Sequence, residues 1–153
     1  MLIQIDSREH KFELARIQRQ LTRLGVKTIV SKLYVGDYQN FDNPRVVIDR
    51  KKDLQELCGN VAQQHDRFRR ELLRAQEAGI RVIILCEHGG EIRSLDDVMA
   101  WQNPRLKKSP KALTGEKLFK ILTTLRRRYG VSFEFCDKTE TGRKIVRLLS
   151  YKE

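Results

Sequence analysis

The stretch GDYQNFDNPRVVIDRK, residues 36–51, decides the fold of this chain. Its two ends predict neighbouring strands over residues 36–38 and 46–51, joined by a polar loop at residues 40–44. Because the loop is short, the two strands are expected to be antiparallel. The second strand is an apolar run that ends in three charged residues, so those charges are expected at the rim of the sheet.

Two carboxylates and one ammonium converge in this predicted hairpin. Asp37 lies on the first strand and Asp49 on the second, and Lys51 shares a face with Asp49 because side chains alternate along a strand. Carboxylates bind a hard divalent cation through oxygen, while an ammonium orients a water or offsets charge on a phosphate. A magnesium-dependent phosphodiesterase needs these groups. A surface hairpin with scattered charges is the alternative, because the spacing alone is short.

The same stretch resembles the GD…ERK motif of the XPF/Hef-type structure-specific nucleases, a branch of the PD-(D/E)xK superfamily. Gly36-Asp37 matches GD, and Asp49-Arg50-Lys51 matches ERK with aspartate in place of glutamate. The resemblance implies that Asp37 and Asp49 bind Mg²⁺ or Mn²⁺ and that Lys51 acts on the attacking water or the transition-state charge. It implies that Arg50 contacts phosphate or braces the site.

Three further elements of that family match in order, over roughly residues 2–87. Residues 5–9 (IDSRE) resemble its first-strand DSRE element, and residues 54–61 resemble the helix after its motif. Arg67-Phe68 with Glu71 resembles an RF-x-x-(E/Q) element. The family acid four residues after the lysine is replaced by Gln55, and Glu56 is the candidate substitute for it.

The first strand, residues 2–5, leads into a second group of acids. Asp6 and Glu9 are expected at the carboxyl edge of the sheet, where open α/β sheets place their sites. The resemblance makes Asp6 a further metal ligand and Glu9 a contributor to catalysis. The alternative is that Asp6 or Ser7 only caps the following helix.

The charge distribution predicts a polyanionic partner. The net charge is +11, of which +9 belongs to the residues from Trp101 onward. This asymmetry favours nucleic acid. The resemblance implies DNA, with RNA left open because phosphate contacts do not separate the two polymers. A lysine-rich surface that binds nothing is the alternative. The candidate DNA-binding residues are Arg8, Arg67, Lys107, Lys108, Lys111, Arg126, Arg127 and Arg128.

Several of these side chains have structural alternatives. Arg67 can pair with Asp66 or Glu71, and the arginines at 126–128 can complement a helix dipole. His88, beside two glycines, is expected to lie in a turn rather than bind metal. Trp101 is expected in the core rather than stacked on a base.

The length of the chain predicts one domain over residues 1–153, and the resemblance implies that it is a nuclease domain. Hydrophobic residues make up 40% of the chain, and no apolar run reaches the roughly 20 residues that a membrane span needs. Cys58, Cys86 and Cys136 are odd in number and widely spaced, which is typical of reduced cysteines in a cytoplasmic protein without a zinc site. The paired helix-hairpin-helix region of XPF-type enzymes has no counterpart here. The resemblance implies a bacterial or phage setting and a homodimer through the nuclease domain.

Apolar periodicity predicts the remaining elements. Residues 80–86 (IRVIILC) form a continuous apolar strand between helices, so the sheet is expected to be covered on both faces. The fold class is therefore α/β, a central mixed sheet flanked by helices on both faces and restriction-endonuclease-like by resemblance. Further strands are expected over 26–35 and 131–136, and helices over 12–24, 68–78, 94–101, 117–129 and 139–149. Phe12 is among the apolar positions of the first helix, which is expected to cover the core.

The sequence therefore predicts a metal-dependent DNA endonuclease with Mg²⁺ or Mn²⁺ as cofactor, acting on branched or otherwise structured DNA. A catalytically silent DNA-binding or scaffold subunit is the competing hypothesis. The presence of Asp37, Asp49 and Lys51 argues against it, because inactive members of such families have lost the acidic motif.

Overall fold

The chain forms one mixed sheet with helices, here described from a computed structural model that covers residues 1–151. In chain order, the strands and α-helices of this part are β1 (Leu2–Asp6), α1 (Lys11–Arg23), β2 (Lys27–Ser31), β3 (Tyr38–Asn40), β4 (Asn43–Lys51), α2 (Leu54–Ala62), α3 (His65–Glu77), β5 (Arg81–Cys86), α4 (Gly115–Tyr129), β6 (Ser132–Phe135) and α5 (Thr141–Ser150). Short 3₁₀ helices lie at Asp96–Ala100, Pro104–Lys107 and Lys138–Glu140. None of the described helices combines the length and apolarity needed to cross a bilayer.

The strands lie in the order β2-β1-β3-β4-β5-β6. The pairs β1–β2, β4–β5 and β5–β6 are parallel, whereas β3 runs antiparallel to both β1 and β4. The predicted antiparallel hairpin is therefore confirmed, with a tighter turn because β4 already begins at Asn43. Asp37 comes just before β3, and its N–H donates to the Ile48 carbonyl at 2.8 Å.

Alternation along β4 sends neighbouring side chains to opposite faces of the sheet. Val47 joins a core cluster built with α2, α3 and α4, whereas Ile48 joins a second cluster built with α1 and α5. By the same alternation, Asp49 and Lys51 share the face of Val47, and Arg50 lies on the face of Ile48. The predicted sheet with helices on both faces is confirmed.

Three expectations about local structure are wrong. The strand predicted over 26–35 ends at Ser31, because the Leu33 N–H donates to the Asp6 carboxylate at 2.8 Å instead of to a strand. The helix predicted over 94–101 is a 3₁₀ helix, Asp96–Ala100, and Asp97 accepts the N–H groups of residues 93 and 94. Phe12 is exposed, because it lies about 140° around α1 from the buried Ile17.

Candidate active site

A cavity of about 260 Å³ lies on the sheet face that carries Asp49 and Lys51. Its walls come from β4, from the loops that follow β1 and precede β3, and from α3. The structure thus brings together residues that are far apart in sequence. The residues of its lining that the sequence singled out as site residues are Asp6, Arg8, Asp37, Asp49, Lys51 and Arg67.

Gly36 sets the position of Asp37. It has a left-handed φ of +77°, and a Cβ at this position would lie 3.1 Å from both the Ile48 carbonyl oxygen and the Val47 Cβ. Only glycine adopts this conformation without strain. Asp37 is then held on β4 from both sides, because its N–H donates to Ile48 and its Oδ2 accepts the Arg50 main-chain N–H at 2.8 Å.

The cavity concentrates negative charge around Asp37. Burial and the neighbouring carboxylates of Asp49 and Glu9 raise the pKa of Asp37 well above its usual value. Lys51 provides a countercharge to this pair, with Nζ at 3.4 Å from Asp49 Oδ2. Burial alone would lower the pKa of Lys51. The negative charges of Asp49, Glu56 and Asp37 outweigh burial, so the pKa is raised and the ammonium is retained.

The carboxylate pair fits a hard divalent cation. A carboxyl that is buried beside another carboxylate ionises readily only when positive charge is brought to it. Mg²⁺ binds through one or two carboxylates and keeps waters or phosphate oxygens as its other ligands. Over residues 1–151, no group of three or more His, Cys, Asp or Glu side chains is arranged to hold a metal ion. Metal binding by Asp37 with Asp49 stays a prediction.

Asp6 lines the cavity, but its oxygens are already engaged. Oδ1 accepts from the Leu33 N–H at 2.8 Å and from Arg8 Nη2 at 3.2 Å, and Oδ2 accepts from Arg8 Nε at 2.8 Å and the Arg8 N–H at 3.2 Å. Burial alone would raise the pKa of Asp6, but these hydrogen bonds outweigh burial, so the pKa of Asp6 is lower than usual. Asp6 thus orders the loop at 32–35, and metal binding by Asp6 stays a prediction.

Arg50 and Glu9 lie behind the cavity, on the opposite face of the sheet. The Arg50 guanidinium donates to Glu9 Oε1 at 2.9 Å and to Glu87 Oε1 at 2.5 Å, and the Tyr38 hydroxyl donates to Glu9 Oε2 at 2.7 Å. Arg50 lies on this face because side chains alternate along β4, and Asp49 and Lys51 lie on the face of the cavity. The Arg50 side chain therefore braces the site, which is one of the two roles expected for it, and a contribution of Glu9 to catalysis stays a prediction.

Glu56 belongs to the N-terminal cap of α2. Asp53 Oδ1 accepts the Glu56 N–H at 2.9 Å, and Glu56 Oε2 accepts the Lys52 N–H at 2.9 Å, one residue further back than in a standard capping box. Glu56 is exposed and does not line the cavity. The neighbouring Gln55 donates to Asn103. The Glu56 carboxylate thus serves the helix terminus, and its role as a substitute for the family acid stays a prediction.

The candidate DNA-binding residues divide into two groups. Arg8 and Arg67 are at the cavity, where Arg67 Nε lies 3.6 Å from Glu71 Oε1. The others are exposed and lie outside it, on the turn that ends the second 3₁₀ helix and on the last turn of α4, namely Lys107, Lys108, Lys111, Arg126, Arg127 and Arg128. DNA contact by all of these side chains stays a prediction.

Arg74 is a charged residue of the cavity that the sequence did not single out. Its guanidinium carbon lies 4.1 Å from the centre of the Tyr34 ring, and both residues line the cavity. The signal was present in the helical spacing, since residues 67, 71 and 74 lie on one face of α3. The aromatic partner could not be found that way, because it belongs to the loop after β2.

His88 and Trp101 have structural contacts. His88 Nδ1 accepts the Leu54 N–H at 3.2 Å, at the start of α2, and the two rings meet edge to face with centres 5.8 Å apart. Burial lowers the pKa of His88, which favours the neutral ring that this hydrogen bond requires. Trp101 packs against the core cluster of α2, α3 and α4, as expected.

Comparison with known proteins identifies the family of this chain and solved structures with a similar fold. The sequence profile of a family described as ERCC4 domain matches residues 5–148. A solved structure of XPF from Aeropyrum pernix is similar, with a TM-score of 0.68, 21% identity, and coverage of 97% of this chain and 63% of that chain. A second structure of XPF from Aeropyrum pernix, in complex with DNA, has a TM-score of 0.68, 20% identity and the same coverage. The chain thus spans 63% of the length of these solved chains. A search of curated proteins finds no match.

Proposed function

Because this chain belongs to the ERCC4 domain family, we propose that it is a metal-dependent endonuclease that hydrolyses phosphodiester bonds in DNA. The observation that carries the proposal is the cavity in which Asp37, Asp49 and Lys51 come together. The likeness to a solved chain in complex with DNA supports DNA as the substrate. Branched or otherwise structured DNA is proposed from the resemblance of the motifs alone.

Asp37 and Asp49 would hold the divalent cation, Mg²⁺ or Mn²⁺. When bound, such an ion polarises a phosphoryl oxygen and lowers the pKa of a bound water. Both carboxylates are fixed by β4, Asp49 as part of the strand and Asp37 through its hydrogen bond to the Arg50 N–H. Asp6 helps to fix the backbone of Asp37, since the Asp6 main-chain N–H donates to the Asp37 carbonyl at 2.7 Å.

Lys51 acts as a positively charged hydrogen-bond donor and not as a general base. Its ammonium is retained beside Asp49, so it donates a hydrogen bond to the attacking water or to a phosphate oxygen. Preorganised positive charge of this kind stabilises the charge that develops on phosphorus in the transition state. Arg8 and Arg67, at the wall of the cavity, bind the phosphates that flank the scissile bond, because a guanidinium matches two phosphate oxygens at once.

Arg50 braces the site instead of contacting the substrate. Its main-chain N–H holds Asp37, and its side chain ties β4 to Glu9 and Glu87 on the other face of the sheet. A small shift of β4 would displace Asp49 and Lys51 together. Such a displacement is costly for catalysis, because reacting groups lose effective concentration when their geometry loosens.

Cleavage of plasmid and fork DNA, with Mg²⁺, with Mn²⁺ and with a chelator, tests this proposal. Asp49→Ala and Lys51→Ala are expected to lower cleavage by at least about 100-fold, while DNA affinity measured in chelator is retained. Lys52→Ala is the matched control, because Lys52 is an exposed lysine next to the site. Cleavage by Asp49→Ala at the wild-type rate would refute the assignment. Wild-type DNA binding without any cleavage would support the silent DNA-binding subunit instead.

A further inference from the structure

A second cavity, of about 530 Å³, lies beyond the carboxyl ends of β5 and β6. It is twice as large as the candidate active site, whose volume is about 260 Å³. The loop after β5, the turn at residues 137–140 and one face of α5 form its walls. None of the site residues discussed above lines it.

The lining of this cavity is basic. Its four cationic residues are Arg93, Arg143, Lys144 and Arg147. Lys144 Nζ lies 3.3 Å from Glu134 Oε2 and is thus paired. The three arginines are exposed, and in the part of the chain that the structure describes their guanidinium groups form no hydrogen bond and no ion pair, although the charge of Arg93 acts on Asp97. Unpaired guanidinium groups that share a concave surface are suited to phosphate oxygens.

The two acids of the lining, Asp137 and Glu140, do not cancel this charge. Asp137 Oδ1 accepts both the N–H and the hydroxyl of Thr139 at 3.0 Å, so the carboxylate closes the turn before α5. Its other oxygen fills the space above Gly89, where a Cβ would lie 2.7 Å away. Asp137 therefore shapes the turn, and with Lys144 paired to Glu134 three arginines stand against the two carboxylates of the lining.

The cavity continues the edge of the sheet on which the candidate active site lies. β4, β5 and β6 are parallel, with Lys51 paired to Cys86 and Cys86 to Phe135. Neighbouring strands are about 4.8 Å apart, so about 10 Å separates the end of β4 from that of β6. This distance corresponds to about three base steps at about 3.4 Å each.

We propose that this basic cavity binds the phosphodiester backbone of the nucleic acid a few nucleotides from the scissile phosphate. Arg143 and Arg147, one turn apart on α5, and Arg93, on the facing loop, would each contact phosphate. The inference rests on the proposed nuclease function, because it places a second backbone site on the same substrate. It assigns DNA contacts to residues outside the set that the sequence singled out.

The salt dependence of DNA affinity tests the inference. The logarithm of the affinity for a labelled fork DNA is measured in chelator between about 50 and about 200 mM salt. Each lost phosphate contact lowers the slope by about 0.9 on duplex DNA and about 0.7 on single strands. For Arg93→Gln/Arg143→Gln/Arg147→Gln we therefore expect a slope that is smaller by about 2 to 3.

A matched control removes the same charge elsewhere. Arg19, Arg23 and Lys27 are exposed cations on α1 and β2, outside both cavities, and are changed together to glutamine. The inference is overturned if the two triple variants change the slope equally. Arg143→Gln alone is expected to lower the slope by about 0.9, and this variant decides the case if the triple variant does not fold.

The outcomes separate this inference from the proposed function. A triple variant with an unchanged slope, in a protein whose wild type cleaves DNA, would refute the cavity and leave the nuclease intact. A wild type that binds DNA but does not cleave it would refute the nuclease, while the slope would still report on the cavity.

Discussion

Replacing Arg50 by methionine tests the buried ion-pair network behind the candidate active site. The Arg50 guanidinium lies 2.9 Å from Glu9 Oε1 and 2.5 Å from Glu87 Oε1. The side chains of Arg50, Glu9 and Glu87 are 8%, 7% and 0% exposed. Methionine keeps the length and packing of the side chain but leaves Glu9 without its cation. Glu87 retains Arg16, whose Nη2 lies 2.6 Å from Glu87 Oε2.

The expected loss of stability follows from this burial. Removing one partner of a buried ion pair costs about 3–5 kcal/mol, because the other charge stays uncompensated. Since Arg16 still neutralises Glu87, we expect the lower end, about 3 kcal/mol. The control is Lys120→Met: Lys120 Nζ lies 3.3 Å from Glu116 Oε1, and both side chains are largely exposed, at 71% and 64%. A pair of this kind is worth below about 1 kcal/mol.

The pH dependence gives a second readout. Burial alone would raise the pKa of Glu9. The hydrogen bonds and the charge of Arg50 outweigh burial, so the pKa of Glu9 lies below its usual value. A carboxyl with a depressed pKa in the folded state contributes stability above its unfolded pKa, about 4.3. That contribution is lost as pH falls through the folded pKa. The difference between wild type and Arg50→Met should therefore narrow as pH falls below about 4.3.

Urea unfolding followed by far-UV circular dichroism, at neutral pH and at acid pH, measures both quantities. The free energy of unfolding at neutral pH is compared among wild type, Arg50→Met and Lys120→Met. A loss for Arg50→Met no larger than that of the control, or a difference that widens in acid, would refute the reasoning. In either case the network would not stabilise the fold as an ion pair.

Two other predictions concern backbone geometry and a helix terminus. Gly36→Ala is expected to lower the free energy of unfolding by about 1–3 kcal/mol, because of the left-handed φ and the 3.1 Å approach to Ile48, and to lower cleavage by displacing the residue that follows. The control Gly59→Ala, in α2 with open space around its Cβ, should raise stability by up to about 1 kcal/mol in the same urea titration. Burial lowers the pKa of His88, so stability should fall as pH drops below about 6.5, and His88→Ala should remove this dependence in unfolding measured between about pH 5 and pH 8.

The period of side chains along a strand explains how much of the site could be predicted. Alternation placed Asp49 and Lys51 on one face of β4, and the short polar turn placed Asp37 on the neighbouring chain. The same alternation sends Arg50 to the other face, and applying it consistently would have removed Arg50 from the set of phosphate contacts. The local sequence pattern was therefore enough to place those site residues whose positions depend on a single strand.

Side chains whose partners are distant in sequence could not be placed in this way. The carboxylate of Asp6 is engaged by the backbone of Leu33, and Glu9 by the side chain of Arg50. Both partners depend on tertiary packing, which no spacing encodes. Glu56 is a different case, since an aspartate three residues before a glutamate is a capping signal that could have been recognised. The basic cavity was missed because the sheet brings Arg93 and α5 together from positions far apart.

The most direct test of the central claim is calorimetric titration of the protein with Mn²⁺ in the absence of DNA. If Asp37 and Asp49 share one divalent cation, the wild type binds Mn²⁺ at a single site. Asp37→Asn and Asp49→Asn should then each weaken binding by at least about tenfold, which is about 1.4 kcal/mol. Glu56→Gln should bind as the wild type does, since Glu56 caps α2. Wild-type affinity in both aspartate variants would contradict the account.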